Sequence, residues 1–192
     1  MPKQEWKPGN MLYPLPAVLV TSRSASGEDD VCTVAWAGTV CTSPAMVSIS
    51  LKPSRLSYQY IRETGVFGIN LTTEELAYAT DYCGVRSGRD TDKFADARLT
   101  KEEAGHIPCT LIAESPVQLE CRVAKELELG SHTMFVAEIL AVHADEAYLD
   151  ADGRFDLNRS KPLVYSHGAY LGLGTLLGTF GWSVRKKKRK KK

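Results

Sequence analysis

Only five of the 192 residues are cysteine, and no two of them form a C-x-x-C pair. Cys32, Cys41, Cys83, Cys109 and Cys121 are odd in number and scattered. That pattern predicts reduced thiols rather than a disulfide framework or a zinc site. Glycine (15) and proline (9) stay near ordinary usage, which excludes collagen-like and low-complexity chains. No stretch reaches the roughly 18 consecutive apolar residues that a spanning helix needs. The apolar run from Met11 to Val20 holds Pro14 and Pro16 and lacks the basic flank and small-residue cleavage site of a secretory signal. A cytoplasmic protein with no membrane segment is expected. The P-loop, H-E-x-x-H and G-x-S-x-G motifs are missing, as is a G-x-G-x-x-G after a strand. Gly172-Leu173-Gly174 and Gly178 follow the final strands and precede the tail, so they make no dinucleotide loop.

What is present describes a globular chain with 43% apolar and 24% charged residues. At this length one core buries enough surface to fold, so one domain over residues 1–184 is expected. The net charge of +1 hides an asymmetry, because the eight residues from Arg185 to Lys192 are all basic. The rest carries 16 basic and 23 acidic residues, a net of −7. A like-charge run of this kind is solvated, and residues 185–192 are expected to be a disordered tail. Through counterion release such a tail attracts RNA, DNA or anionic lipid, which keeps a nucleic-acid-binding reading open.

Along the chain, Val18-Leu19-Val20-Thr21 reads as a strand, Ser22 to Asp30 as a turn and Val31 to Val40 as a returning strand, together a hairpin. Met46 to Leu51 alternates apolar and hydroxyl residues with the period of two of a half-buried strand. Ser57 is placed to cap a short helix ended by Gly65, and Val66 to Leu71 is a further strand. Thr72 or Thr73 followed by Glu74 and Glu75 predicts a second helix, with acids where the dipole favours them. Cys83 to Asp92 reads as a loop. Cys109–Ile112, Val117–Val123 and Thr133–Leu140 complete the strands, and the alternation of the last two predicts one buried face. The expected fold is mainly β with short helices, an antiparallel, barrel-like α+β arrangement.

One pairing carries chemistry. The strand Thr33-Val34-Ala35-Trp36-Ala37-Gly38-Thr39 is built of small residues that let a flat ring approach backbone N–H and C=O groups. Ser50, Lys52, Ser54, Arg55 and Ser57 then place hydroxyls and two cations just before a helix N-terminus, a setting that suits a phosphate. The same residues also fit an ordinary strand ending in a solvated turn.

Several blocks, in this order and spacing, resemble the flavin reductase-like, or flavoredoxin-like, family. They are Met11 to Val18, Thr33 to Thr39, Ser43-Pro44, Ser48 to Tyr60, Phe67 to Leu71, Ser87 to Phe94, Gly130 to Phe135, and Pro162-Leu163 with Tyr165 and Tyr170. The resemblance covers about residue 10 to about residue 175. It implies a Greek-key-like, FMN-binding split β-barrel that forms a homodimer with FMN near the interface. On that resemblance Thr33, Val34, Ala35 and Trp36 line the flavin ring, Ser50, Lys52, Ser54, Arg55 and Ser57 hold the phosphate, and Lys93 closes over the flavin. His132 and Tyr170 stand on the catalytic side, where NADH, NADPH or another reductant approaches. No residue is assigned to a metal. Lys93 also fits an ion pair with a neighbouring acid, Trp36 fits core packing, and His132 fits a turn histidine bonded to backbone. Ala35-Trp36-Ala37 replaces the Asn-Ser type pair of many reductase partners, which favours the flavoredoxin-like branch, and Ser131 stands where an aspartate is common. The implied activity is an NAD(P)H-dependent flavin oxidoreductase. Its alternative is an electron carrier with no nicotinamide site, served by a protein donor or acceptor.

Overall fold

In the computed structural model, which describes residues 1–185, the chain forms mostly antiparallel sheet with three short α-helices. Residues 186–192, most of the expected basic tail, lie outside the described residues. Strands β2 (Val18–Arg23) and β3 (Asp29–Val34) make the expected hairpin, with Gly27 at φ 92° in its turn. The expected strand from Val31 to Val40 does not run through. It breaks at Ala35-Trp36, and β4 (Ala37–Thr42) begins beyond the break.

That break shapes the molecule. With β5 (Ala45–Leu51), β6 (Val66–Leu71), β9 (Val117–Glu128) and β10 (Thr133–Ala144), the seven-stranded sheet has the order β3-β2-β6-β9-β10-β5-β4. Its two edge strands are consecutive in the chain and only two residues apart. The sheet must therefore curl until its edges meet, giving an open barrel whose seam is Ala35-Trp36. The Trp36 carbonyl accepts from the Ser50 N–H at 2.9 Å and ties the seam.

Alternation fills the barrel. Val18, Val20, Val34, Ile49, Phe67, Ile69, Phe135 and Ala137 all point into one cluster. Each fully buried aliphatic or aromatic side chain there contributes on the order of 1.5–3 kcal/mol. Helix α1 (Leu56–Thr64) adds Tyr58 and Ile61 to the same interior and ends at Gly65 in the left-handed conformation. Its N-cap is Arg55 rather than Ser57, because Ser57 is fully buried and donates its hydroxyl hydrogen to Asp30.

The opposite face of the β2–β3 hairpin is covered as well. Leu19 and Val31 pack against α2 (Ala77–Val85) and α3 (Lys93–Asp96). Helix α2 starts later than Thr72 or Thr73 because Thr73 bridges to Pro162 and Glu74 bonds to the Lys161 carbonyl. It continues to Val85, where a loop was expected from Cys83. Strands β7 (Lys101–Glu103) and β8 (Thr110–Ile112) form a small hairpin. A separate three-stranded sheet joins β1 (Leu15–Pro16), β11 (Leu163–Ser166) and β12 (Ala169–Gly172). Among the described residues no helix is long and apolar enough to cross a membrane.

Candidate functional site

Three adjoining cavities follow the outer side of β3 and the seam. The first, about 250 Å³, lies between the turn before α1 and the loop after α2. Lys52, Arg55, Arg86, Arg89 and Lys93 line it against one carboxylate, Asp30. Helix α1 starts here with no side chain capping it, so its first-turn N–H groups add to the positive field. Arg89 Nη1 donates to the Ser54 carbonyl at 3.0 Å and Arg55 Nη2 to the Gly84 carbonyl at 2.9 Å, which fixes both guanidinium groups at the rim.

Asp30 and Lys93 form the floor. They are 2% and 4% exposed, and Lys93 Nζ stands 2.8 Å from Asp30 Oδ1. Gly88 packs so closely that a Cβ there would lie 2.2 Å from the same oxygen. Lys93 is thus a buried partner of Asp30, not the surface ion pair with a neighbour in sequence that its acidic surroundings allow. Asp92 Oδ1, the nearest of those acids, instead accepts from the N–H groups of Phe94 and Ala95 and caps α3.

The second cavity, about 170 Å³, is the seam itself. Thr33, Val34, Ala35, Trp36, Ser50, Lys52, Arg55 and His132 line it, so most of the sequence-predicted site residues converge here. Because β3 is a sheet edge, one row of its backbone N–H and C=O groups has no ladder partner. The Trp36 and His132 rings lie 4.3 Å apart at 46°. Burial, then the Lys52 charge, holds the His132 imidazole below the ordinary histidine range, so it is neutral at pH 7. Ser131 Oγ lies 2.9 Å from His132 Nδ1, so the serine does contact the ring.

The third cavity, about 340 Å³, shares Thr33 and Ala35 with the seam and adds Tyr165 and Tyr170. Their rings stand 5.5 Å apart. Burial, then Asp81, raises the Tyr170 phenol, which stays protonated. His132 and Tyr170 therefore line different cavities.

Of the predicted phosphate residues, Lys52, Ser54 and Arg55 line the cationic cavity, Ser50 lines the seam, and Ser57 lies behind Asp30. Sequence reasoning missed Asp30, Arg86, Gly88 and Arg89. Two arginines flanking a Ser-Gly turn in a short loop were the available signal. Four cysteines are buried and only Cys41 is partly exposed; burial pushes the Cys32 thiol up to about 11 and the Cys83 thiol up to about 12. Neither is a thiolate at neutral pH.

Residues 11–174 match the flavin reductase like domain family. The chain belongs to that family. This flavin reductase-like chain is 29% identical to flavoredoxin of Desulfovibrio vulgaris (Miyazaki F), with a TM-score of 0.88 over 95% of this chain and 100% of that one. An uncharacterized protein of Archaeoglobus fulgidus is 35% identical over 147 residues, 77% of this chain and 81% of that one. An NADH-dependent FMN reductase of Streptomyces nodosus subsp. asukaensis is 28% identical over 163 residues, 83% of this chain and 80% of that one. The open barrel closed at Ala35-Trp36 is the split-barrel fold of this family.

The residues fit a flavin mononucleotide. Four cations, Lys52, Arg55, Arg86 and Arg89, and a helix N-terminus answer a phosphate, and an edge strand of small residues answers a flat polar ring.

Proposed function

We propose that this protein binds FMN and passes reducing equivalents from NAD(P)H or a protein donor to an acceptor. The observation that carries this reading is continuity, because the cationic cavity and the seam share Lys52 and Arg55, and the seam and the tyrosine-lined cavity share Thr33 and Ala35. Lys52, Ser54 and Arg55, with Arg86 and Arg89, hold the phosphate, and Ser57, Asp30 and Lys93 set the floor beneath it. The backbone of Thr33 to Trp36, with Ser50, faces the ring. When bound, the cofactor supplies reversible electron and hydride chemistry, while the chain sets orientation and solvent access. His132, neutral and held beside Trp36, bounds the reacting side at the seam, and Tyr170 bounds it at the far cavity. A cytoplasmic homodimer with the site near its interface accords with this reading.

A second reading, an electron carrier without a nicotinamide site, has its own support. Among the described residues the cations cluster at the phosphate end, and the tyrosine-lined cavity adds only the acid Asp81. A dinucleotide diphosphate therefore finds no second cationic cluster there. The visible spectrum of the FMN-loaded protein under anaerobic NADH or NADPH separates the two. Bleaching within seconds of the flavin band at about 450 nm is expected for a reductase. A yellow protein that stays yellow supports the carrier, and a protein that takes up no FMN overturns both.

A further inference from the structure

A further cavity, larger than any of these three, is distinct from them. It has a volume of about 690 Å³ and lies between residues 9–15 and strands β4 and β5. This exceeds the cationic cavity and is within the range of small-molecule sites, roughly 300–1,000 Å³. Among the described residues, none of the fourteen that line it carries a charge. Met11, Leu12, Val40 and Met134 give it apolar walls, and Tyr13 and Trp36 add ring faces. Thr39, Ser48 and Ser50 add hydroxyls, and among the described residues the Ser48 hydroxyl reaches only the Gly38 carbonyl, at 3.5 Å. That distance is at the weak limit of a hydrogen bond and leaves the group free for a ligand carbonyl. Trp36 and Ser50 also line the seam, so whatever sits here adjoins the ring-facing edge.

We propose that this cavity binds an uncharged, ring-bearing organic electron acceptor of the quinone class. An anion meets no cation among the described lining residues, and desolvating a charge there is costly. Apolar walls, two aromatic faces and three hydroxyls suit a flat molecule with polar oxygens at its rim. The acceptor role rests on the flavoprotein reading above; the binding site does not. With NAD(P)H as the donor, one hydride and one solvent proton convert the quinone to its hydroquinone, leaving NAD(P)⁺.

Gly38 supplies the test, because a Cβ built there meets nothing within 4 Å, and its φ is not positive. Gly38→Glu puts charge and bulk into the cavity without strain, Val40→Asp does so from a second position, and Gly38→Ala is the conservative control. Isothermal titration of menadione and of 1,2-naphthoquinone-4-sulfonate into the full chain, with and without FMN, reads the site directly. Menadione is expected to bind wild type and Gly38→Ala alike, and roughly tenfold or more weaker to Gly38→Glu and Val40→Asp, the cost of an uncompensated charge in an apolar site. The sulfonate is expected to bind wild type weakly, and FMN affinity is expected to be unchanged in all variants. Equal menadione binding by wild type and both charged variants, or equal binding of the two quinones, overturns the proposal. A wild-type dimer that Gly38→Glu turns into a monomer also overturns it, since that face is then a subunit interface. A chain that binds menadione in this Gly38-dependent way but takes up no FMN keeps the site and overturns the flavoprotein reading instead.

Discussion

Lys93 sits among acids in the sequence, and folding gives it a partner far away in the chain. Its ammonium is 2.8 Å from Asp30, and both side chains are almost wholly buried. Two charges removed from water are tolerated there only because each meets the other and Ser57 supplies a further hydrogen bond. Removing one partner strands the other, at about 3–5 kcal/mol. Lys93→Met is therefore expected to lower urea-denaturation stability by about 3 kcal/mol, and Lys93→Met with Asp30→Asn to recover part of that loss. A single-variant loss below about 1 kcal/mol would mean that the pair does not hold the floor of the cationic cavity. The sequence displays the cations Lys52, Arg55, Arg86, Arg89 and Lys93 openly, but nothing local says that Asp30 is the acid they surround. That pairing exists only once the β2–β3 hairpin, α1 and α3 are packed together.

Among the elements, those that follow from their own residues were legible. The hairpin of β2 and β3, the alternation of β5, and the apolar β6 follow from period and turn chemistry. The break at Ala35-Trp36 was not, because Val31 to Val40 contains no proline, its one glycine lies beyond the break, and β-branched residues stand on both sides. Only closure of the sheet forces the chain to change edges there. Strand β6 holds a related, non-local requirement at Gly68. A Cβ at this position would lie 2.4 Å from Thr21 Oγ1 and 2.7 Å from Leu111 Cδ2, so glycine lets β8 lie across β2 and β6. Overpacking of this kind costs about 1–3 kcal/mol, and Gly68→Ala is expected to lose that amount in thermal or urea unfolding. Thr21→Ala in the same chain removes the nearer obstacle and should restore part of it. Unchanged stability in Gly68→Ala would show that β8 can shift at no cost.

For the molecule as a whole, acid is the expected weakness. Burial pushes the Asp29 carboxyl up, but hydrogen bonds from Arg23, Lys101 and Thr110 more than offset this and leave it lowered. Glu103 is lowered chiefly by Arg23. Glu120, fully buried on β9, is also pushed up by burial. It accepts from His143 at 2.7 Å and from the N–H groups of Gly105 and His106 at 2.9 and 2.6 Å, and is lowered overall. A carboxyl lowered on folding binds fewer protons in the native state than in the unfolded one. Its stabilisation is fully present above the ordinary carboxyl range, about 4, and is lost as the pH falls through the lowered value. His132, lowered from the ordinary histidine value of about 6.5, acts in the same direction at higher pH, since the unfolded chain takes up its proton first. Urea midpoints are thus expected to decline gently from pH 7 to pH 5 and steeply below about pH 4.5. Glu120→Gln gives up the carboxylate's bonds to the 104–109 turn, so it should be less stable at pH 7 and show a shallower decline toward acid. A midpoint that does not change between pH 7 and pH 4, or a variant as acid-sensitive as wild type, would mean that these carboxylates do not couple folding to protons.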